Sequence, residues 1–423
     1  MMDQKKPPPG PLAGLRVLDM SRILAGPSMT QILGDLGADI LKIERPGTGD
    51  DTRQWGPPFL GSAKADEPGW SSYFLSANRN KRSLALDFTC AKGQRIIREL
   101  AGHCDIFVEN FKVGGLAKYG LGYDDLIEER GDLIYCSITG FGQSGPMAHR
   151  AGYDAMIQGM GGIMSITGET GGDPMKVGVG IADLMCGMYA GTAILAALHH
   201  REKTGEGQHI DVALFDAQLA WLINAGMNYL VTNEAPRRYG TAHPNIVPYQ
   251  VFPASDGFFM LAVGNDAQFK RFCELAGTPE LADDPRFATN PARLENREIL
   301  VDRLRGLTAR KSRDFWLAGL ERANVPSGPI NDIAQAFDEP QTEARGMRVR
   351  FEDERIAGGG ADLIGSPLKL SATPVSYRRF PPALGEHTRE ILQGLLGMTS
   401  QEIDALVGDG VIETGAQTES SHV

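Results

Sequence analysis

An α/β protein built on an open parallel sheet with crossover helices is the fold class this sequence predicts. Two observations carry the prediction. From Leu15 onward, short aliphatic runs alternate with segments of helical periodicity, the mark of successive βαβ units. The chain has 423 residues, of which 42% are apolar and 22% charged. That is enough for a large core and, at roughly 100–200 residues per domain, for about two or three domains.

The elements follow in order. LRVLDM (Leu15–Met20) reads as a buried strand, and MTQILGDLGA after it has helical spacing and ends at Gly37. DILKIE (Asp39–Glu44) is a second strand and SLALDF (Ser83–Phe88) an alternating third. The segment Lys92–Gly102 is amphipathic, with Ile96, Ile97 and Leu100 on one face. DIFVENF (Asp105–Phe111) and LIYCSITGFG (Leu133–Gly142) are further strands. The Gly/Pro-rich stretch Arg45–Gly69 is too long for an ordinary βα connection, which suggests a functional loop. A long helix is expected over Asp183–Arg201, closed by Gly205 and Gly207 and followed by the strand HIDVALF. The character changes from about Ala225 to Pro329: a Pro/His/Asn-rich link, a hairpin at the Asp256-Gly257 turn, then charged helices up to Asn324. That region reads as a smaller second domain. Short strands follow Val325–Ile330, a helix forms near His387–Leu396, and the last dozen residues are frayed.

Composition excludes several function classes. Asp plus Glu (53) outnumber Lys plus Arg (42), for a formal charge of −11. Nucleic-acid partners normally require a basic excess, so none is expected. No run of about 18 uninterrupted apolar residues marks a membrane span, and MMDQKKPPPG has no apolar signal core. The five cysteines are scattered and never form C-x-x-C, which fits reduced thiols and a cytoplasmic location rather than disulfides or a zinc knuckle. Phosphate-loop, H-E-x-x-H, EF-hand and G-x-S-x-G motifs are missing, and no G-x-G-x-x-G follows the first strand, where the turn reads SRILAGPSMTQ.

Chemistry is suggested where strands end. The first strand runs into Ser21-Arg22, then Ala25-Gly26-Pro27 and a helix, a natural anion site beside a helix start. Arg45 follows the second strand, NRNKRS (Asn78–Ser83) precedes the third, and VENF ends another with Asn110 and Phe111, ahead of Lys118-Tyr119. Cations, an aromatic ring and an Asn suit a phosphorylated adenine nucleotide. Glycines crowd Asp183 at the start of the long helix. Asp183 is either an N-cap or a carboxylate nucleophile. In the second case the helix N-terminus would keep it ionised, and nearby N–H groups would stabilise an oxyanion.

These segments together resemble the family III (formyl-CoA transferase-like) CoA-transferases, from LAGLRVLDMSRILAGP to PPALGEHTREIL. DLGADILKIERPGTGDDTR, NRNKRSLALD, VENF, RAGYDA, GIADLMCGMYA and REKTGEGQHIDVALFD carry the likeness in order. WGPPF, RAGYDA, YGTAHPNIVPYQ and VPSGPIN look most like the succinyl-CoA:dicarboxylate (glutarate or hydroxymethylglutarate) type. The resemblance implies Asp183 as nucleophile. It implies a CoA pocket of Arg22, Ile23, Ala25, Arg45, Lys81, Asn110, Phe111, Lys118 and Tyr119, although the last pair departs from the Arg-Met of formyl-CoA transferase. Leu24 stands where that enzyme has Gln, which argues against oxalate as acceptor, and the stretch AVGNDAQ is less glycine-rich than its lid. Tyr153 is implied to hydrogen-bond the acyl or carboxylate group and Trp55 to wall the pocket. Arg237, Arg238 and His243 are candidates for clamping a distal carboxylate.

The implied fold is a Rossmann-like large domain (12–224 plus 330–412), with a linker and small α+β domain (225–329), a flexible arm (1–11) and a flexible tail (413–423). The implied assembly is an interlocked homodimer. The implied reaction moves CoA from an acyl-CoA, succinyl-CoA for preference, to a free carboxylate such as glutarate, with CoA thioesters as substrates and no prosthetic group or metal. Two alternatives stand beside it. One is a racemase or isomerase of the same family; there a His acts where Tyr153 lies, and Tyr, with a pKa near 10, is a poor base at neutral pH. The other is a non-catalytic acyl-CoA-binding protein in which Asp183 only caps.

Overall fold

The computed structural model describes residues 9–62 and 69–415. Residues 1–8 of the expected arm and 416–423 of the expected tail lie outside the described residues.

A seven-stranded sheet organises the larger unit. Its strands are β1 (Arg16–Asp19), β2 (Asp39–Glu44), β3 (Lys81–Leu86), β4 (Ile106–Glu109), β5 (Ile134–Thr139), β6 (Gln208–Ala213) and β7 (Ile412–Glu413). They lie in the order β7-β3-β2-β1-β4-β5-β6. The first six run parallel, and β7 pairs antiparallel with β3. This is the doubly wound order, in which the chain winds outward from β1 to β3 and then restarts beside β1 at β4. A crevice opens at such a reversal, at the carboxyl ends of β1 and β4.

Strands β3, β4 and β5 are buried along their whole length. Helices cover both faces of a parallel sheet, so its strands read as nearly continuous aliphatic runs. Alternate residues feed two cores. Val17, Ile40, Ile106 and Ile134 face α1 (Ala25–Asp35) and α2 (Ile181–Thr204). Leu18, Leu41, Leu84 and Phe107 face the other side, with Ile96, Ile97 and Leu100 of the amphipathic helix. By length and composition α2 could cross a membrane. Here its Cys186, Ala190 and Ile194 lie in the core against the sheet.

Three boundaries differ from expectation. Strand β3 begins at Lys81, two residues before the predicted start, so the basic pair Lys81-Arg82 is inside the strand. Both are buried and matched: Lys81 with Asp19, Arg82 with Asp39 and Glu390. Secondly, the tail expected to be flexible from residue 413 begins inside β7, after a helix Ser400–Gly408 that Thr399 and Glu402 close in a capping box. Thirdly, the smaller unit comprises Ile163–Lys176 and Met227–Pro340, not 225–329 alone. The Gly240 N–H reaches the Gly168 carbonyl at 3.1 Å, and the Arg238 side chain binds the carbonyls of Glu169 and Gly172, which ties Ile163–Lys176 to that unit.

Taken by itself, the smaller unit holds a three-stranded antiparallel sheet. Tyr249–Ala254 and Gly257–Ala262 form the hairpin, and Ser327–Pro329 pairs with the second of these strands. Phe252, Phe259, Phe269, Phe272 and Trp316 fill its core.

Candidate active site

At the carboxyl ends of β1 to β4 lies a cavity of about 660 Å³. Arg22 after β1, Arg45 after β2, Phe88 after β3 and Phe111 after β4 line it, together with Lys112, Lys118 and Tyr119. The aromatic wall is continuous. Phe88 meets Phe111 at 5.6 Å and Tyr119 at 5.7 Å, both edge to face, and the Lys118 ammonium lies 4.6 Å from the centre of the Tyr119 ring. Arg45, Lys112 and Lys118 form no ion pair among the described residues. Unpaired cations around an aromatic wall suit an anion that carries a flat ring.

The turn after β1 is held by buried charges. Ile23 has φ 73°, a left-handed conformation that a β-branched residue rarely adopts. Its N–H donates to Asp50 at 3.2 Å. Asp50 in turn pairs with Lys42 at 2.9 Å, and the Lys42 ammonium also donates to the Ser21 carbonyl at 3.0 Å. Burial works to raise the Asp50 pKa, but Lys42 and the Thr52 hydrogen bonds outweigh it and hold the carboxyl at about 2. A surrounding network therefore fixes the strained turn, a common arrangement at functional sites.

The structure brings together Arg22, Arg45, Phe111, Lys118 and Tyr119 of the expected pocket. It does not bring Lys81 there. The Lys81 ammonium is fully buried and donates to Asp19 at 3.2 Å and to the Pro27 carbonyl at 2.9 Å, so it braces α1 from beneath. Asn110 acts on protein rather than on the cavity: its amide accepts from the Arg22 N–H at 2.9 Å and donates to the Arg22 carbonyl at 2.7 Å. Ala25 is the buried first residue of α1. Arg53, in the loop after β2, pairs with Glu44 at 2.7 Å and stacks on Phe74.

Asp183 lies in the first turn of α2, whose N-cap is Gly180. The capping is done from elsewhere. Asp154, on the helix Asp154–Met160, accepts from the Ala182 N–H at 2.8 Å and the Asp183 N–H at 3.4 Å, while Gln158 donates to its other oxygen at 2.7 Å. Asp183 is thus not the cap, and its carboxylate accepts no hydrogen bond among the described residues. Burial first, and then the Asp154 charge, push its pKa up to about 7. This corrects the expectation that the helix N-terminus would keep Asp183 fully ionised. Desolvation and a like charge outweigh a dipole effect typically worth 0.3–1 kcal/mol.

Two glycines set where α2 sits. A Cβ on Gly187 would stand 2.6 Å from the Ala25 carbonyl oxygen, and one on Gly180 would stand 2.9 Å from Leu24. The Asp183 helix is therefore pressed directly on the turn after β1. Gly187→Ala should destabilise the protein on balance. Forcing backbone apart costs about 1–3 kcal/mol, against a helix-propensity gain of about 1 kcal/mol. Urea denaturation measures the outcome.

Sequence reasoning missed two neighbours of Asp183. Asp154 stands beside Tyr153 in the highlighted RAGYDA, but a cap across distant segments leaves no local signature. Tyr73 is the other. Its hydroxyl is pushed up by burial and then by Asp183, Asp154 and Asp50, so it shares their surroundings. Trp55 meets Tyr73 edge to face at 5.0 Å. Tyr153 itself is 64% exposed, with no side-chain hydrogen bond among the described residues.

A doubly wound sheet with a cationic aromatic cavity at its reversal suits a protein that handles an acyl-nucleotide. The CoA-transferase family III pattern matches residues 12–388, and the chain belongs to that family. It is a CoA-transferase, with CoA thioesters as substrates. It is 48% identical over 394 residues to "Succinate--glutarate CoA-transferase" of Agrobacterium fabrum, covering 93% of this chain and 97% of that one. It is 43% identical over 403 residues to "Succinyl-CoA:glutarate CoA-transferase" of Homo sapiens, covering 95% and 90%. Among solved structures, a CAIB/BAIF family protein from Brucella suis superposes with a TM-score of 0.81 at 48% identity, over 92% of this chain and 100% of that one.

Proposed function

We propose that this enzyme moves CoA from succinyl-CoA to glutarate or a close dicarboxylate, with Asp183 as the covalent nucleophile. The observation that carries the reading is the Asp183 carboxylate itself: desolvated, relieved of capping by Asp154 and without an ion pair among the described residues. The Asp183 oxygen attacks the thioester carbonyl and expels CoA thiolate, leaving a mixed anhydride. The thiolate then attacks the aspartyl carbonyl and releases succinate, giving an aspartyl thioester. Glutarate attacks that thioester and expels the thiolate. The thiolate attacks the glutaryl carbonyl, which forms glutaryl-CoA and restores Asp183. Every step exchanges one acyl oxygen or sulfur for another, and covalent catalysis divides a hard exchange into easier ones. Arg22, Arg45, Lys118 and the Phe111–Tyr119 wall hold the CoA nucleotide, and Tyr73 and Trp55 border the acyl group. Of the clamp candidates in the smaller unit, Arg238 is engaged by main-chain carbonyls and Arg237 lies on the Tyr239 ring. A homodimer belongs to the same reading, supported by the exposed Ile223, Leu230 and Val231; so does a cytoplasmic location, supported by five free thiols.

Mass spectrometry of CoA esters after mixing the protein with succinyl-CoA and a pool of dicarboxylates tests the reading. Glutaryl-CoA with matching free succinate is expected. Succinyl-CoA left intact beside every acid contradicts the donor assignment, and deuterium entering Cα of an acyl-CoA in D2O would favour racemase chemistry instead.

The rate should depend on pH in a defined sense. The nucleophile is the ionised form of a group titrating near 7, so kcat should rise with pH and be half-maximal near 7. Asp154→Asn keeps an oxygen for the helix N–H groups but removes the like charge. Its half-maximal point should move to lower pH while staying above the ordinary 3.8, because burial remains.

A further inference from the structure

The transfer scheme leaves one buried carboxylate beneath the cavity unused. Glu109 ends β4 and is 6% exposed. One of its oxygens accepts the Phe111 N–H at 2.7 Å, and the carboxylate is also hydrogen-bonded to Ser137, its register partner on β5. The Ser137 hydroxyl lies 3.0 Å from the His209 Nε2 of β6, and His209 stacks on Tyr123.

The groups around Glu109 are neutral or acidic. From β5 come Ser137, the Tyr135 hydroxyl and the Cys136 thiol. From β6 come Asp211, which sits opposite Ser137, and His209 behind the Ser137 hydroxyl. On the β1 side the neighbouring residue is Met20, whose N–H donates to the Val108 carbonyl. Arg22 lies beyond the Phe111 ring, 5.5 Å from its centre. Burial, with a smaller push from Asp211, raises the Glu109 carboxyl to about 7.

The turn that Glu109 holds matters to the cavity. Phe111 lines it and carries Arg22 on its face. Asn110, between Glu109 and Phe111, clasps the Arg22 main chain at both its N–H and its carbonyl. One carboxylate thus anchors the β4 turn, and the β4 turn anchors the β1 turn across the reversal of the sheet.

We propose that Glu109 is a positioning residue for acyl-CoA: its ionised carboxylate fixes the Asn110–Phe111 turn and through it Arg22, so that protonating Glu109 weakens CoA binding without altering the Asp183 step. The inference rests on the reading of the cavity as the CoA site. A hydrogen bond to a charged acceptor is roughly twice as strong as a neutral one, so losing the charge should weaken CoA binding about fivefold.

Calorimetric titration with CoA tests this in an Asp183→Ala background, which removes both turnover and the titration of Asp183. The CoA phosphate itself titrates near pH 6, so Glu109→Gln is compared with the Glu109 protein at each pH. The expected result is CoA binding about fivefold weaker in Glu109→Gln at about pH 8, with the two proteins converging at about pH 6. In the Asp183 enzyme, Glu109→Gln should raise KM for succinyl-CoA at about pH 8 and leave kcat within about twofold. Equal affinities at about pH 8, or a constant difference at both pH values, would overturn the proposal alone. Failure of both proteins to bind CoA at any pH would overturn the reading of the cavity as well. Glu109→Asp, which restores the charge, should recover part of the lost affinity; if it does not, the effect is one of packing and the proposal fails.

Discussion

Asp183→Ala should lower kcat for CoA transfer on the order of 10⁴-fold or more, the scale of losing a covalent nucleophile, while CoA still binds and the protein melts as before. The combination follows from the geometry. If Asp183 were the cap of its helix, its removal would cost about 1 kcal/mol of stability. Asp154 accepts the N–H groups of Ala182 and Asp183 instead, so the Asp183 side chain holds nothing that the fold needs. Removing a desolvated carboxylate beside another carboxylate should even relieve repulsion. Transfer at the native rate in Asp183→Ala would exclude the covalent scheme. A large loss of stability with activity intact would restore the capping role.

The second large effect is expected at Lys42. Lys42→Met should destabilise the larger unit by about 3–5 kcal/mol, because removing one member of a buried pair leaves an uncompensated charge. Lys42 and Asp50 are both fully buried and 2.9 Å apart. Function should fail with stability, since the same pair holds Ser21 and the strained Ile23. Asp50 also predicts a pH effect. Its pKa is depressed in the folded protein from the ordinary 3.8 to about 2, so its contribution is fully present above about pH 4 and is lost as the pH falls through 2. Spread over that window it amounts to roughly 2 kcal/mol. Urea denaturation of the native protein and of Lys42→Met at neutral and acidic pH measures both. A Lys42→Met protein as stable as the native one would show that the pair does not hold the turn.

Reading these sites from sequence succeeded where one residue type dominates a run. Strands β1, β2, β4 and β5 are aliphatic runs because both faces of a parallel sheet are buried, and Arg45, Lys118 and Tyr119 follow from where their elements end. It failed where charge is buried. Lys81 and Arg82 look solvated in the sequence, yet their partners lie far along the chain, and Lys42 and Asp50 pair with each other across the turn after β2. That misplaced the start of β3 and put Lys81 in the wrong site. Two-residue β7 at the sheet edge lacks the length for a periodic signal. Asp183 was legible through its glycines. Asp154 was not, since the N–H groups it caps lie 28 and 29 positions away.

Oxygen tracing tests the central claim most directly. In the proposed cycle glutarate leaves one of its oxygens on Asp183 when glutaryl-CoA forms, and the next succinate carries it away. With 18O-labelled glutarate, a single turnover should place one heavy oxygen in the peptide containing Asp183 and none in the first succinate. Labelled succinate in that first turnover with an unlabelled peptide would mean that glutarate attacks succinyl-CoA directly, and the account of Asp183 as nucleophile would be wrong.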